Sequence, residues 1–121
     1  MNTINHLNLS TSDVTGLAYF FAQVFDFRMI GEHGTGNFVV MKAESGFVLT
    51  LMMDKTLEEK PYPAGFHLGV LQSSRDAVLD LHTRIQAIHP AVPPPGSIRR
   101  DTFGFYVHAP GGVLVEVSCV A

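Results

Sequence analysis

The sequence predicts an α+β fold of two βαβββ modules, whose curved mixed sheets surround a cavity. Three observations predict it. The segment HLNL at residues 6–9 recurs as HLGV at 67–70, an offset of 61 (67 − 6). GFVLTL at 46–51 recurs as GVLVEV at 112–117, an offset of 66 (112 − 46). In each copy a helical period is followed by stretches with strand-like alternation. A repeat of roughly 60 residues organises a chain more firmly than any one motif, because each copy is a supersecondary unit. The longer second offset fits a longer loop in the second copy.

Module one is read over residues 3–53. Ile4 to Leu9 alternates, with Ile4, His6 and Asn8 on one face and Asn5, Leu7 and Leu9 on the other, as in a strand. Ser10 to Asp13 supply capping side chains. Val14, Leu17, Ala18, Phe21 and Phe25 then recur at helical spacing. A turn, a short strand around 27–30 and a flexible loop GEHGTG come next. Strands over 37–42 and 47–53 follow, joined by the turn at 43–46. Residues 54–64, DKTLEEKPYPA, are polar and proline-containing and read as the linker.

Module two is read over residues 65–121. A strand over 65–71 leads to a cap at Gln72-Ser73-Ser74 and a helix marked by Val78, Leu81, Ile85 and Ile88. PAVPPPG at 90–96 can be neither helix nor central strand, because proline lacks the amide donor. It reads as an extended connector. Strands over 97–100, 102–108 and 113–120 complete the module.

Composition bounds the function. The chain has 121 residues, 46% hydrophobic and 16% charged, the balance of one folded domain. A net charge of −3 with scattered basic residues speaks against a nucleic-acid surface. The lone Cys119 has no internal disulfide partner and reads as a buried small hydrophobe. The N-terminus lacks the basic start and apolar core of a signal peptide. No run approaches the roughly 18 apolar residues of a membrane span. The expectation is a cytoplasmic protein that contacts neither membrane nor nucleic acid.

The repeat singles out the residues that carry chemistry. His6 and His67 occupy equivalent positions, and so do Thr50 and Glu116. Gly65, His67 and Gly69 share one strand face, where the glycines leave room beside the imidazole. Leu114, Glu116 and Ser118 share the face opposite Val113, Val115 and Val117. Glu116 is the only charge in GGVLVEVSCVA, and a metal ion would offset the cost of burying it. Two neutral imidazoles and one carboxylate give three-point ligation with open positions for substrate. His6, His67 and Glu116 are therefore the expected ligands of one divalent metal per site, with Fe, Mn, Zn, Ni and Co all compatible. Asn8, Val48, Thr50, Met52 and Leu114 are the expected walls of a mostly apolar pocket for a small molecule. Arg99 or Arg100 is placed to hold an anionic substrate. His33, His82, His89 and His108 read as surface residues.

The chain resembles the vicinal oxygen chelate superfamily over nearly its whole length. The resemblance runs from INHLNLSTSD and AYFFAQVFDF through GFHLGVL to FGFYVHAPGGVLVEV. That superfamily includes glyoxalase I, extradiol dioxygenases, fosfomycin-resistance thiol transferases, methylmalonyl-CoA epimerase and bleomycin-resistance proteins. The resemblance implies metal ligands at His6, His67 and Glu116. Thr50 stands where glyoxalase I has a further ligand, which favours a three-ligand site. Tyr106, ten residues before Glu116 (116 − 106), resembles a tyrosine that contacts substrate or a metal-bound ligand, and is the catalytic candidate. The histidine that extradiol enzymes carry before the Phe-Tyr pair is absent from Ser97-Ile98-Arg99. The resemblance thus implies a homodimeric, metal-dependent enzyme of the glyoxalase or dioxygenase type, acting on a small oxygen-chelating substrate. The alternatives are a metal-free drug-binding protein of the bleomycin-resistance kind and a fosfomycin-type thiol transferase.

Overall fold

The computed structural model describes residues 1–121. It holds two helices and two open four-stranded mixed sheets, one of each per module. Residues 1–62 with 110–112 form one compact unit; 63–109 with 113–121 form the other.

In the first unit, β1 (His6–Thr11), α1 (Val14–Phe25), β2 (Arg28–His33), β3 (Phe38–Lys42) and β4 (Val48–Met53) give the sheet order β1-β4-β3-β2. β1 runs parallel to β4, and the other pairs are antiparallel. Asp13 starts α1 by accepting the Gly16 N–H at 2.8 Å, which satisfies one of the amides a helix start leaves free. The α1 residues Val14, Leu17, Phe21 and Val24 are buried with Leu9, Val39, Met41, Leu49 and Leu51 of the sheet. Each such burial contributes about 1.5–3 kcal/mol before entropy is counted. Strand alternation leaves His6, Asn8, Val48, Thr50 and Met52 on the opposite face, where none is buried.

In the second unit, β5 (Leu68–Leu71), α2 (Arg75–Ile88), β6 (Gly96–Arg99), β7 (Thr102–Ala109) and β8 (Val113–Val120) give the order β5-β8-β7-β6. Ser74 caps α2 through the Ala77 N–H at 3.1 Å. Val78, Leu81 and Ile85 bury the helix against β7 and β8, where Phe105, Val107, Val113, Val115 and Val117 are buried. Cys119 is buried, as its apolar setting predicts.

The repeat holds in register. Asn8 pairs with Thr50 in the first sheet, and Gly69 pairs with Glu116 in the second. These are the two offsets, 61 and 66, read from the sequence.

Several details differ from the sequence expectation. β1 begins at His6 and continues to Thr11, and β5 begins only at Leu68, so His67 lies one residue before its strand. Half of GEHGTG is strand: Gly31 to His33 belong to β2, and Gly34 to Gly36 form the turn. β2 extends to His33 because Glu32 and His33 pair with Val39 and Phe38. The segment after β4 contains a 3₁₀ turn, Lys55–Glu58. The Tyr62 hydroxyl donates to the Ser10 carbonyl at 2.8 Å and accepts the Ser10 N–H at 2.9 Å. That staple holds Tyr62 on β1. His82 is half-buried rather than a surface residue. Its Nε2 lies 2.9 Å from the Pro93 carbonyl, and its ring meets Phe105 edge-on. It ties the proline connector to α2. His33, His89 and His108 are exposed.

Candidate functional site

The second sheet gathers four side chains by register alone. β7 and β8 form a hairpin whose turn uses Gly111 and Gly112 at φ +81° and +87°, values that L side chains rarely adopt. The turn fixes Ala109 opposite Val113, and hence Tyr106 opposite Glu116. Directly opposed residues share a sheet face and touch. The spacing Tyr-x-x-x-Pro-x-Gly-x-x-x-Glu is thus the arithmetic of a hairpin. Ser118 joins the same face two residues on.

Arg99 arrives by a bulge. Gly96 pairs with Gly104 and Ser97 with Phe103, but Arg99 pairs with Thr102. The register slips by one residue, and such a slip turns a side chain to the other face. Arg99 is thereby brought to the face of Thr102, Tyr106 and Glu116. Of the two arginines offered for an anion, Arg99 is the one that meets the site.

Glu116 is 4% exposed and fully satisfied. Arg99 grips it with both ends of the guanidinium, Nη1 to Oε1 at 2.9 Å and Nη2 to Oε2 at 3.1 Å. The Tyr106 hydroxyl donates to Oε1 at 2.7 Å, and the Ser118 hydroxyl donates to Oε2 at 2.7 Å. A carboxylate has about four lone-pair positions, and four donors fill them. The Arg99 hydrogen bonds hold the Glu116 carboxyl down at about 2, from 4.5, against the upward push of burial; Tyr106 and Ser118 add to the lowering. The bond to Glu116, followed by burial, raises the Tyr106 hydroxyl above its usual range and keeps it protonated. Glu116 likewise raises Arg99, which stays charged throughout.

His67 stands at the edge of this cluster. Its Nδ1 lies 3.0 Å from the Gly65 carbonyl, a bond that requires the proton on Nδ1. In the neutral ring Nε2 then carries a lone pair, and it lies 3.5 Å from Glu116 Oε1. The ring packs edge-on to Tyr106 at 5.4 Å. A hollow of about 300 Å³ is lined by Ala64, Gly65, His67, Tyr106 and Leu114. A second, of about 250 Å³, opens where Gly69, Leu71, Arg99 and Glu116 meet. A Cβ built at Gly65 or Gly69 would meet nothing within 4 Å, so the space beside His67 is open, as the glycines predict.

The first sheet carries the other half of the expected set. His6 is exposed, with Nδ1 2.8 Å from Asn5 Oδ1, so its Nε2 is the free nitrogen as well. Thr50 donates to Asn8 Oδ1 at 2.7 Å. The expected wall residues Val48 and Met52 lie on this face too.

A family model described as the Glyoxalase/Bleomycin resistance protein/Dioxygenase superfamily matches residues 3–117. The chain belongs to this superfamily. Among solved structures it is similar to a possible glyoxalase from Bacillus cereus, with 38% identity, 97% of this chain and 98% of that one covered, and a TM-score of 0.84. It is also similar in fold to lactoylglutathione lyase from Agrobacterium tumefaciens, with 20% identity, 98% and 94% covered, and a TM-score of 0.74. A third is a variant of the fosfomycin resistance protein from Listeria monocytogenes, complexed with Mn(II) and 1S,2S-dihydroxypropylphosphonic acid. There identity is 16%, coverage 97% and 89%, and the TM-score 0.75. A search of curated proteins finds no match.

Members of this superfamily often depend on a divalent metal. Two ligands about 2.0–2.1 Å from one tetrahedral metal lie roughly 3.3 Å apart. His67 Nε2 and Glu116 Oε1, at 3.5 Å, span such an edge. Backbone anchoring of Nδ1 is the usual support for a metal-binding imidazole. These two donors fit one edge of a metal site in type and spacing. No three His, Cys, Asp or Glu side chains stand together as a ready metal group, however, and Arg99 occupies the carboxylate. The sequence predicts a metal as the partner that neutralises Glu116; in the structure Arg99 neutralises it. Ser118 was visible as a same-face neighbour, and nothing in the sequence assigns it the bond to Oε2.

Proposed function

We propose that the chain is a metal-dependent enzyme of the glyoxalase or dioxygenase type, acting on a small substrate that offers oxygen atoms to the metal. The observation that carries this reading is His67 Nε2 facing Glu116 Oε1 at 3.5 Å with its other nitrogen committed to Gly65. The Bacillus cereus relative and the Mn(II) complex of the Listeria protein support it.

In this proposal His67 and Glu116 hold the ion and His6 is the third ligand. A divalent ion so held would polarise the substrate oxygens as a Lewis acid. The chain's own groups do the rest. Tyr106 keeps its proton on Oη and can donate it to a substrate oxygen that gains charge. Arg99, about half exposed, offers two parallel N–H groups to an anionic substituent. Leu114 supplies an apolar wall to the hollow beside His67; Asn8, Val48, Thr50 and Met52 are proposed as the module-one contribution to substrate contact. The chain is proposed to work as a cytoplasmic homodimer.

A second reading has its own observation. Glu116 is already neutralised by Arg99, which suits a metal-free small-molecule binder of the bleomycin-resistance kind. Within the enzyme reading, the half-exposed Arg99 guanidinium beside Tyr106 can meet an anionic substrate, which keeps the fosfomycin-type thiol transferase as the alternative.

Metal analysis after incubation with Mn(II) separates these readings. Wild-type protein is expected to retain about one equivalent, and His67→Ala to lose most of it. No uptake by the wild type would overturn the enzyme reading in favour of the binder. Full retention by His67→Ala would overturn the ligand assignment. Sedimentation of the same samples tests the dimer, and a monomer at micromolar concentration would refute it.

A further inference from the structure

The Glu116 carboxylate has no lone pair to spare. Arg99 and Tyr106 fill Oε1, and Arg99 and Ser118 fill Oε2. A cation that takes Oε1 must displace one of these donors. Tyr106 and Ser118 are neutral and sit on the long central strands β7 and β8. They can turn their hydroxyl groups without repulsion. Arg99 is different in both respects. It is itself a cation, so a divalent ion on the same oxygen would repel it. It also sits on a four-residue edge strand, beyond a bulge, with its side chain 54% exposed. The guanidinium can leave Glu116 for water by rotating its own stem, with no change in the sheet.

Resting on the metal reading above, we propose that Arg99 is a tethered competitor cation. It holds Glu116 while no metal is bound, and an oxyanion on the incoming small molecule draws it away. Metal and oxyanion therefore bind cooperatively. Both partners of the exchange lie within one module: the same two N–H groups that grip the carboxylate match any carboxylate-like or phosphonate-like anion in geometry. The open hollow bordered by Gly69, Leu71, Arg99 and Glu116 gives that anion access to Arg99. Linkage requires the effect to be mutual, so the metal must tighten anion binding by the same factor as the anion tightens metal binding.

Calorimetric titration of Mn(II) into the full chain tests this, with and without methylphosphonate or acetate as the probe anion. Arg99→Gln is expected to bind Mn(II) roughly tenfold more tightly than wild type when no anion is present. The anion is expected to tighten Mn(II) binding to wild type by roughly tenfold and to leave Arg99→Gln within about twofold. Arg99→Lys, which keeps the charge but loses the two-pronged grip, should fall between them and guards against a folding defect peculiar to glutamine. If both proteins bind Mn(II) equally, the competitor role is overturned while the metal reading stands. If the anion tightens both equally, the coupling arises from a metal–anion complex and not from Arg99, which also overturns it. If none of the three proteins takes up Mn(II), the metal reading falls and the proposal falls with it.

Discussion

Asn8 and Thr50 in the first sheet stand where Gly69 and Glu116 stand in the second. The backbone pairing is the same, yet the chemistry differs. In module one a hydroxyl donates to an amide, both groups are neutral, and Asn8 is exposed. In module two a buried carboxylate takes four hydrogen bonds from three side chains, and the residue paired with it is glycine. Val40 in module one faces Thr50 as Tyr106 faces Glu116. The module-one face is neutral. The module-two face carries a charged cluster with space beside it. A plain sheet face would not tolerate the buried charge; four hydrogen bonds offset its cost.

Converting the second face into the first should have the largest effect. Glu116→Thr is expected to abolish Mn(II) retention and to lower stability by on the order of 2 kcal/mol at neutral pH. The carboxyl is held at about 2 rather than 4.5, and solvent screening of the half-exposed Arg99 reduces what that shift would otherwise be worth. The sign follows from linkage. A carboxyl whose folded value is depressed contributes in full above its unfolded value, and that contribution is lost as pH falls from 4.5 towards 2. Denaturant melts between pH 2 and 6 should show wild type losing its advantage over Glu116→Thr across that window. A constant difference between the two at every pH would mean that ionised Glu116 contributes nothing to stability.

Smaller effects sharpen it. Tyr106→Phe removes one hydrogen bond to a charged, buried acceptor and should cost about 1.5–2 kcal/mol. Thr50→Val removes the corresponding bond in module one, where water reaches Asn8, and should cost about 0.5–1 kcal/mol. Equal losses in thermal or urea unfolding would mean that the two faces are energetically alike, contrary to what Glu116 suggests.

The architecture was legible because it is periodic. HLNL over HLGV and GFVLTL over GVLVEV fix the pairing offsets, and alternation around Glu116 fixes which side chains share its face. Tyr106 was legible only through the family resemblance; the hairpin shows why a spacing of ten residues sets it across from Glu116. The bulge before Arg99 was not. A one-residue slip depends on how β6 meets β7, and no local pattern in SIRR announces it. The capture of Glu116 by Arg99 therefore stayed hidden, and a metal looked like the carboxylate's natural partner. Tyr62 was missed for a similar reason: its staple to Ser10 spans 52 residues and lies in a segment whose composition reads as linker.

In the proposed metal site, His67 and Glu116 form one edge, which Arg99 closes until metal binds. Anomalous diffraction from crystals soaked in Mn(II) tests it most directly. The expected result is a single peak within about 2.2 Å of both His67 Nε2 and a Glu116 oxygen, with the Arg99 guanidinium moved off the carboxylate. A saturated crystal showing no peak there, with Arg99 still bound to Glu116, would contradict it.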